Sequence, residues 1–379
     1  MKSRSKIIAL IINVDWYFSL HWLERANYLK RNGFTVHIIT CFFDEKVMSC
    51  LQEQGFYCHN VSLERKSINL LFEIKYILKL KMVLDKINPD LLHAVTVKPN
   101  IYTGILNLFF YDKPIIYSIT GLGAVFSSST YKFIILKRFI TVLYKKISTP
   151  LSHFVFENSE DSELLKSLGV LKYSNGTVVK GAGIDLNRFK PSQPPKNGSI
   201  LFAARLLQDK GLGCLVEAQK LLKERGCHFS LNVAGIIDND VSSAIPLGQI
   251  EAWANNGDIN WLGNVRDMPN LISQNDVICL PTTYGEGVPR ILIEAASCQR
   301  PIIATDVAGC REIVSHGVNG YLIAPKDAVM LAHFLQDLLE DKDKLITFGA
   351  NGRKKVEQEF SQEIVFEKTL QIYQSLLGE

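Results

Sequence analysis

The stretch Leu280–Ile323, LPTTYGEGVPRILIEAASCQRPIIATDVAGCREIVSHGVNGYLI, holds two glutamates, Glu286 and Glu294, with seven residues between them. They flank a turn of Gly285, Gly287 and Pro289 that leads into an apolar helix expected over residues 290–297. Pro289 is expected at the first helical position, where a missing N–H leaves no bond unmade. The amides of Gly287 and Val288 would then stand at the positive end of that helix, a ready anion site. Glu286 falls in the loop and Glu294 well inside the helix, so the pair can address two parts of one long ligand with an anion between. Carboxylates accept hydrogen bonds from neighbouring hydroxyls. A ligand with a sugar at each end and phosphates in the middle fits, which describes a nucleotide sugar. Two glutamates around a glycine-proline turn also arise by chance, so the flanking sequence must carry the reading.

Immediately around this stretch, short β-rich runs alternate with helical ones. ILFAARL (200–206), FSLNVAG (229–235), INWLGNV (259–265), DVICLPT (276–282), PIIATD (301–306) and YLIAP (321–325) are separated by patterns such as GCLVEAQKLLKERG and MPNLISQ. That alternation predicts βαβ units on a parallel sheet. Arg205 and Lys210, in ARLLQDKG, fall in the loop after the first of these strands. Arginine offers a forked donor to phosphate and lysine a mobile point charge. On the same sheet edge as the helix mouth at 287–289, they are candidates for neutralising a diphosphate. DND at 238–240 has the DxD pattern of many metal-dependent transferases, but it lies in a hydrophilic stretch without supporting ligands and reads as a loop. No metal site is expected.

Upstream, GIDLNRFKPSQPPKNGS is rich in turn residues and carries three prolines, which places the domain boundary at 190/191. The first half repeats the alternation. KIIALIIN, TVHIITCF, PDLLHAV, PIIYSIT, HFVFEN and TVVKGAG read as strands, with helices between them at LHWLERANYLKRNG, at about 68–86 and at about 131–146. Two doubly wound domains, 1–190 and 191–360, are thus expected to face one another across a cleft. The remaining segment, 361–379, is a closing helix expected to pack back on the first domain. Ligands gather beyond the carboxyl ends of such strands. In the first half Asp15, His93, Lys98, Thr120 and Gly121 fall there, as do Trp16, His21, Thr96, Gly123, Glu157, Asn158 and Lys180. The lack of GxGxxG after the first strand argues against a dinucleotide-binding fingerprint.

The chain of 379 residues is 47% hydrophobic and 21% charged, which is globular composition. MKSRSKIIALIINV has too short an apolar run for a signal peptide and reads as a buried first strand. No run is long and apolar enough to span a membrane. The eight cysteines lack CxxC spacing, which suits a reducing, cytoplasmic setting. Net charge is +4, unevenly shared: residues 1–190 carry 25 Lys+Arg against 15 Asp+Glu, and the rest 17 against 23. The helices SINLLFEIKYILKLKMVLDK and TYKFIILKRFITVLYKK are basic and amphipathic. Either they are ordinary surface helices or they rest on an anionic membrane surface. The second reading puts the protein at the inner face of the cytoplasmic membrane. No nucleic-acid partner is indicated.

With these residues in view, ARLLQDKG, NWLGNV and YGEGVPRILIEAASCQRPIIATDVAGCREIV followed by GVNGYLI resemble the retaining glycosyltransferases of family 4, which have the GT-B fold. The first half, with DWYFSLHWLERANYLKRNGFTVHIIT, HAVTVKPNIYTGI and ITGLGAVF, is similar to the bacterial branch that builds capsule and O-antigen repeat units. The resemblance implies a nucleotide-sugar donor, with UDP expected, transfer with retention and no metal or other cofactor. It also implies a sugar acceptor on a polyprenyl diphosphate. Residue by residue, Arg205 and Lys210 would hold the diphosphate, Glu286 the transferred sugar and Glu294 the ribose. The amides of Gly287 and Val288 would assist at the phosphates, and the backbone at Asn264 and Val265 would meet the base. Many relatives have a glycine pair where this chain has Asp15 to Leu20, and a histidine where Thr120 stands. Two other functions share these features: a GT-B nucleotide-sugar epimerase, and a non-catalytic subunit on the membrane surface.

Overall fold

The computed structural model describes residues 4–62, 69–127, 130–238 and 243–378, and divides into two compact units. The first comprises Met1–Ala182 and Val365–Glu379, the second Gly183–Ile364.

In the first unit seven strands form one parallel sheet. They are β1 (Ile7–Val14), β2 (Thr35–Cys41), β3 (Tyr57–Asn60), β4 (Leu91–Val95), β5 (Ile115–Ile119), β6 (Ser152–Phe156) and β7 (Gly176–Val178). Their spatial order is β3-β2-β1-β4-β5-β6-β7. Successive residues of β1 feed opposite faces: Ala9 and Ile11 join one core, Ile8, Leu10 and Ile12 the other. Both faces are buried, which is why β1 reads as one apolar run rather than an alternating one. Helices Leu70–Ile87, Val97–Leu106 and Tyr131–Ile147 cover the first face. Helices Asp15–His21, Leu23–Arg31 and the end of Gln362–Leu377 cover the other. The stretch 20–33, expected as one helix, is two, split at Trp22. Ile68, the expected start of the first basic helix, lies outside the described residues, as do Asn239 and Asp240 of the DND motif.

The second unit holds β8 (Ser199–Ala203), β9 (Ser230–Ala234), β10 (Asn260–Gly263), β11 (Val277–Leu280), β12 (Ile302–Thr305) and β13 (Gly320–Ile323). They form a parallel sheet in the order β10-β9-β8-β11-β12-β13 around a single core. The chain enters this unit at Gly183, earlier than 190/191, because Ile184 and Phe189 are buried in its core and Ile184 pairs with Ser361. The proline-rich segment that follows is anchored rather than loose. Arg300, fully buried, donates to the carbonyl oxygens of Ser192 at 2.6 Å, Asn275 at 2.6 Å and Ser273 at 2.8 Å. The closing segment leaves the second unit at Ile364 rather than at residue 360. From Val365 its side chains pack in the first unit's core, with Phe366, Leu370 and Tyr373 buried there.

Candidate active site

In the second sheet the strand order reverses direction between β8 and β11. Such a switch point opens a crevice beyond the carboxyl ends of the strands. Arg205 and Lys210 follow β8, and Glu286 follows β11, so the two strands that border the crevice supply all three charged groups.

Lys210 ends a one-turn 3-10 helix, Gln208–Lys210, and its Nζ lies 2.6 Å from Glu286 Oε2. The two side chains are 12% and 15% exposed. Burial by itself lowers the lysine pKa. The charge of Glu286 and the hydrogen bond it accepts, with Tyr284 adding, outweigh that loss and hold the ammonium above its ordinary value. Arg205 opposes them, so the two cations feel one another and gain most when an anion arrives between them. The Lys210 ammonium carries three N–H donors and the bond to Glu286 uses one. Arg205 Nη1 lies 2.9 Å from Asp238 Oδ2.

Local backbone contacts fix this geometry. The carbonyl oxygen of Asp209 accepts from the Thr283 amide at 2.8 Å and lies 3.1 Å from Thr282 Oγ1. Thr282 Oγ1 is also 2.7 Å from Glu286 Oε1. Gly211 has φ +84°, and a Cβ there would lie 1.9 Å from the carbonyl oxygen of Pro281. A Cβ on Gly309 would lie 1.5 Å from the carbonyl oxygen of Gly287. The first approach presses the lysine turn against the start of the glutamate loop and the second packs helix Ala308–Ile313 against the same loop, and only glycine permits them.

Helix Arg290–Ser297 has the expected bounds, but Pro289 stands just outside it rather than at its first helical position. Pro289 is its N-cap, with φ −62° and an extended ψ of 122°, and its carbonyl accepts from Leu292 N at 3.0 Å. Gly287 and Val288 are buried just before it, at the helix mouth. Glu294 is buried on this helix, and its Oε1 accepts from Arg290 Nε at 2.7 Å. Burial raises its pKa, and Arg290 and Arg188 counter the rise in part. Asn264 and Val265 follow edge strand β10, at the far end of the sheet from β13. Among the described residues no group of three or more His, Cys, Asp and Glu side chains is arranged to hold a metal ion.

The first-unit candidates fare differently. His93 is 1% exposed, its Nδ1 bonds the Tyr373 hydroxyl and its Nε2 lies 2.7 Å from Ser118 Oγ. It ties the closing helix to the sheet, and both its nitrogens are occupied inside the core, so its expected place on the acceptor side is corrected. Asp15 is 3% exposed and accepts from the amides of Trp16 at 2.7 Å and Phe43 at 2.8 Å. It pins the loops after β1 and β2 together rather than facing a ligand. Lys98 Nζ is 2.6 Å from Glu73 Oε1. Thr120 and Gly121 follow β5 and are partly exposed; Thr120 bonds the Tyr17 hydroxyl, which burial and Glu157 keep protonated well above the usual range. Gly121 takes φ +105°. Thr96, after β4, has φ +74°, a region that β-branched residues avoid, and it stands where the first sheet reverses between β1 and β4.

Three supporting residues escape a reading of the motifs, Thr282, Arg290 and Gly309, and Asp238, read there as part of a loop, has a role the motif does not give. Arg290 was accessible from its i,i+4 spacing to Glu294. The partnership of Asp238 with Arg205 spans 33 residues and has no local signal.

Known proteins resemble the chain along most of its length. A family model described as glycosyl transferases group 1 matches residues 183–355, and one described as glycosyl transferase 4-like matches residues 7–153. The chain is 27% identical over 343 residues to the N,N'-diacetylbacillosaminyl-diphospho-undecaprenol alpha-1,3-N-acetylgalactosaminyltransferase of Campylobacter jejuni, which spans 86% of this chain and 88% of that one. It is 25% identical to the capsular polysaccharide biosynthesis glycosyltransferase CapM of Staphylococcus aureus, over 94% and 93% of the two chains. Among solved structures, sucrose-phosphate synthase from Thermosynechococcus elongatus superimposes with a TM-score of 0.80 at 19% identity, over 98% and 99% of the chains. HepE from Anabaena, solved with UDP and glucose, gives 0.77 at 18% identity, over 97% and 99%.

Proposed function

Since this chain is a glycosyltransferase of the GT4-like type with the GT-B fold, we propose that it moves a sugar from a UDP-linked donor onto a sugar carried by a polyprenyl diphosphate, with retention and without a metal. The observation that carries the reading is the Lys210–Glu286 pair, held by Thr282 at the mouth of the crevice with Arg205 nearby. The lipid-diphosphate acceptor is supported by the name of the Campylobacter relative, and UDP by the ligand of HepE. Surface-polysaccharide assembly, as in the capsule relative, is the setting these partners suit.

As the glycosidic bond to the diphosphate breaks, negative charge grows on the leaving oxygens. Lys210, from a mostly buried position, and Arg205, with the amides at 287–288, are preorganised to receive it. Glu286 holds Lys210 in place and accepts hydroxyls of the transferred sugar. The departing phosphate oxygen takes the acceptor proton, so no protein base is required. Glu294, protonated more readily than an exposed glutamate, accepts or shares hydrogen with the ribose hydroxyls.

A panel of UDP- and GDP-sugars, incubated with a synthetic lipid-diphosphate-sugar and with or without chelator, tests this. Transfer from a UDP-sugar with an axial anomeric product and no loss on chelation is expected. Conversion of a UDP-sugar to its epimer without acceptor, or an inverted product, would refute it.

A further inference from the structure

The helices that cover one face of the first sheet present apolar side chains outward as well as inward. Helix Leu70–Ile87 buries Tyr76, Leu80 and Leu84 against the core, yet turns Leu71, Leu78 and Met82 to solvent, the last 71% exposed. Helix Tyr131–Ile147 buries Ile140, Tyr144 and Ile147 and leaves Ile135, Phe139 and Val142 exposed. Between them helix Val97–Leu106 runs into a π-helical turn, Asn107–Tyr111, that displays Leu108, Phe109 and Phe110. A surface helix of a soluble domain is polar on its outer side, and an exposed apolar patch built from three adjacent elements marks an interaction site.

The patch is held as one surface. Glu73 on the first helix accepts from Lys98 and from the Tyr102 hydroxyl of the second, each at 2.6 Å. The Tyr111 hydroxyl donates to Asp85 Oδ1 at 2.7 Å, and Lys81 Nζ stands 4.9 Å from the centre of the Phe110 ring. A Cβ on Gly104 would lie 2.7 Å from Ile147 Cδ1, so the second helix lies close against the third. The two phenylalanines at 109 and 110 therefore project from a fixed turn, not from a loose loop.

Charge decides the occupant. Residues 69–147 carry eleven Lys+Arg against four Asp+Glu, and Glu73 and Asp85 are already engaged by Lys98 and Lys81. Lys75, Lys79, Lys132, Arg138 and Lys146 are exposed among the apolar residues. A second copy would bring one basic face against another, which is repulsive in a self-complementary interface. We infer that this three-helix face docks on an anionic lipid bilayer, with Phe109 and Phe110 entering the boundary between headgroups and acyl chains and the lysines meeting lipid phosphates. No described helix is long and apolar enough to cross a membrane, so this is attachment from one side. The inference does not depend on which sugar is transferred, or on transfer at all.

Co-sedimentation of the full chain with vesicles tests it, using phosphatidylglycerol–phosphatidylcholine mixtures and phosphatidylcholine alone. Binding to the anionic vesicles, weakened by salt, is expected. The Phe109→Ser/Phe110→Ser variant should partition at least about tenfold less, and Lys132→Gln/Arg138→Gln should lose roughly fivefold per charge, both with wild-type melting temperatures. Equal affinity for neutral vesicles, wild-type binding by the phenylalanine variant, or a salt-resistant dimer that this variant dissolves would overturn the inference. Because lipid binding is read without donor or acceptor, its failure would leave the transferase reading standing, and the reverse holds too.

Discussion

Lys210 Nζ and Glu286 Oε2 lie 2.6 Å apart, although they stand 76 positions apart in the sequence. The pair costs desolvation and repays it by placing a cation and a carboxylate where the strands β8 and β11 diverge. Lys210→Ala and Glu286→Ala should each lower turnover on the order of 100–1,000-fold. Each also strands a mostly buried charge, so each should destabilise by about 1–3 kcal/mol, and the double variant by less than the sum. Initial rates together with chemical melts check both statements. Near-normal transfer by both single variants would remove the pair from the mechanism.

Thr282 acts through Glu286. Its hydroxyl, 2.7 Å from Oε1, fixes the carboxylate while 3.1 Å from the Asp209 carbonyl that carries the lysine turn. Thr282→Val keeps the shape and removes the bond, and kcat should fall on the order of tenfold with little change in donor KM. Thr282→Ser should restore most of it. A serine variant as slow as valine would assign Thr282 to packing alone.

The sequence shows the layers of this fold because its strands are buried on both faces and stand out as apolar runs between periodic helices. β3 was less legible, for Tyr57–Asn60 is an edge strand with no buried residue. The charged residues of the site were legible from Glu286, Glu294, Arg205 and Lys210, which lie in short motifs at strand ends. What holds them was not. Thr282 and Gly309 act by approach to residues on other loops, and no local pattern encodes that. His93 is alike: it sits in the middle of β4, and its structural role is set by the closing helix, 280 positions on, which covers it with Tyr373.

Asp238 occupies Arg205 at 2.9 Å, in competition with any phosphate. Asp238→Asn should therefore tighten UDP binding by about two- to fivefold, with a steeper loss of affinity in salt as the freed guanidinium meets phosphate directly. Calorimetric titration with UDP reads this. Weaker binding would show that Asp238 orients the arginine toward its ligand instead.

Gly211 and Gly309 leave no room for a methyl group, each standing within 2 Å of a carbonyl oxygen once a Cβ is added. Gly309→Ala must push back the loop bearing Glu286, and Gly211→Ala also meets a positive φ. Each should cost about 1–3 kcal/mol or more and remove most activity. Gly226, which also has a positive φ of 78° but open space around it, is the control. Gly226→Ala should cost only its backbone strain, about 1–2 kcal/mol, and leave turnover intact.

The pH dependence of stability should carry the mark of His93. Burial first, and the nearby Arg25 second, hold its pKa well below 6.5 in the folded protein. The unfolded chain takes up a proton near pH 6.5 while the folded chain does not, so the stability this residue contributes is present above about pH 6.5 and drains as pH falls. His37, half-buried and stacked on His59, has its pKa lowered to about 4 and acts in the same direction. Glu294, with a raised pKa, acts oppositely, losing stability as pH rises from about 4.5. Comparing wild type with His93→Gln isolates the histidine. Urea midpoints taken between about pH 7 and pH 5 should fall more steeply for wild type than for the variant. Parallel lines would mean that His93 is protonated inside the fold, in conflict with its enclosure by Tyr373, Ser118 and Trp22.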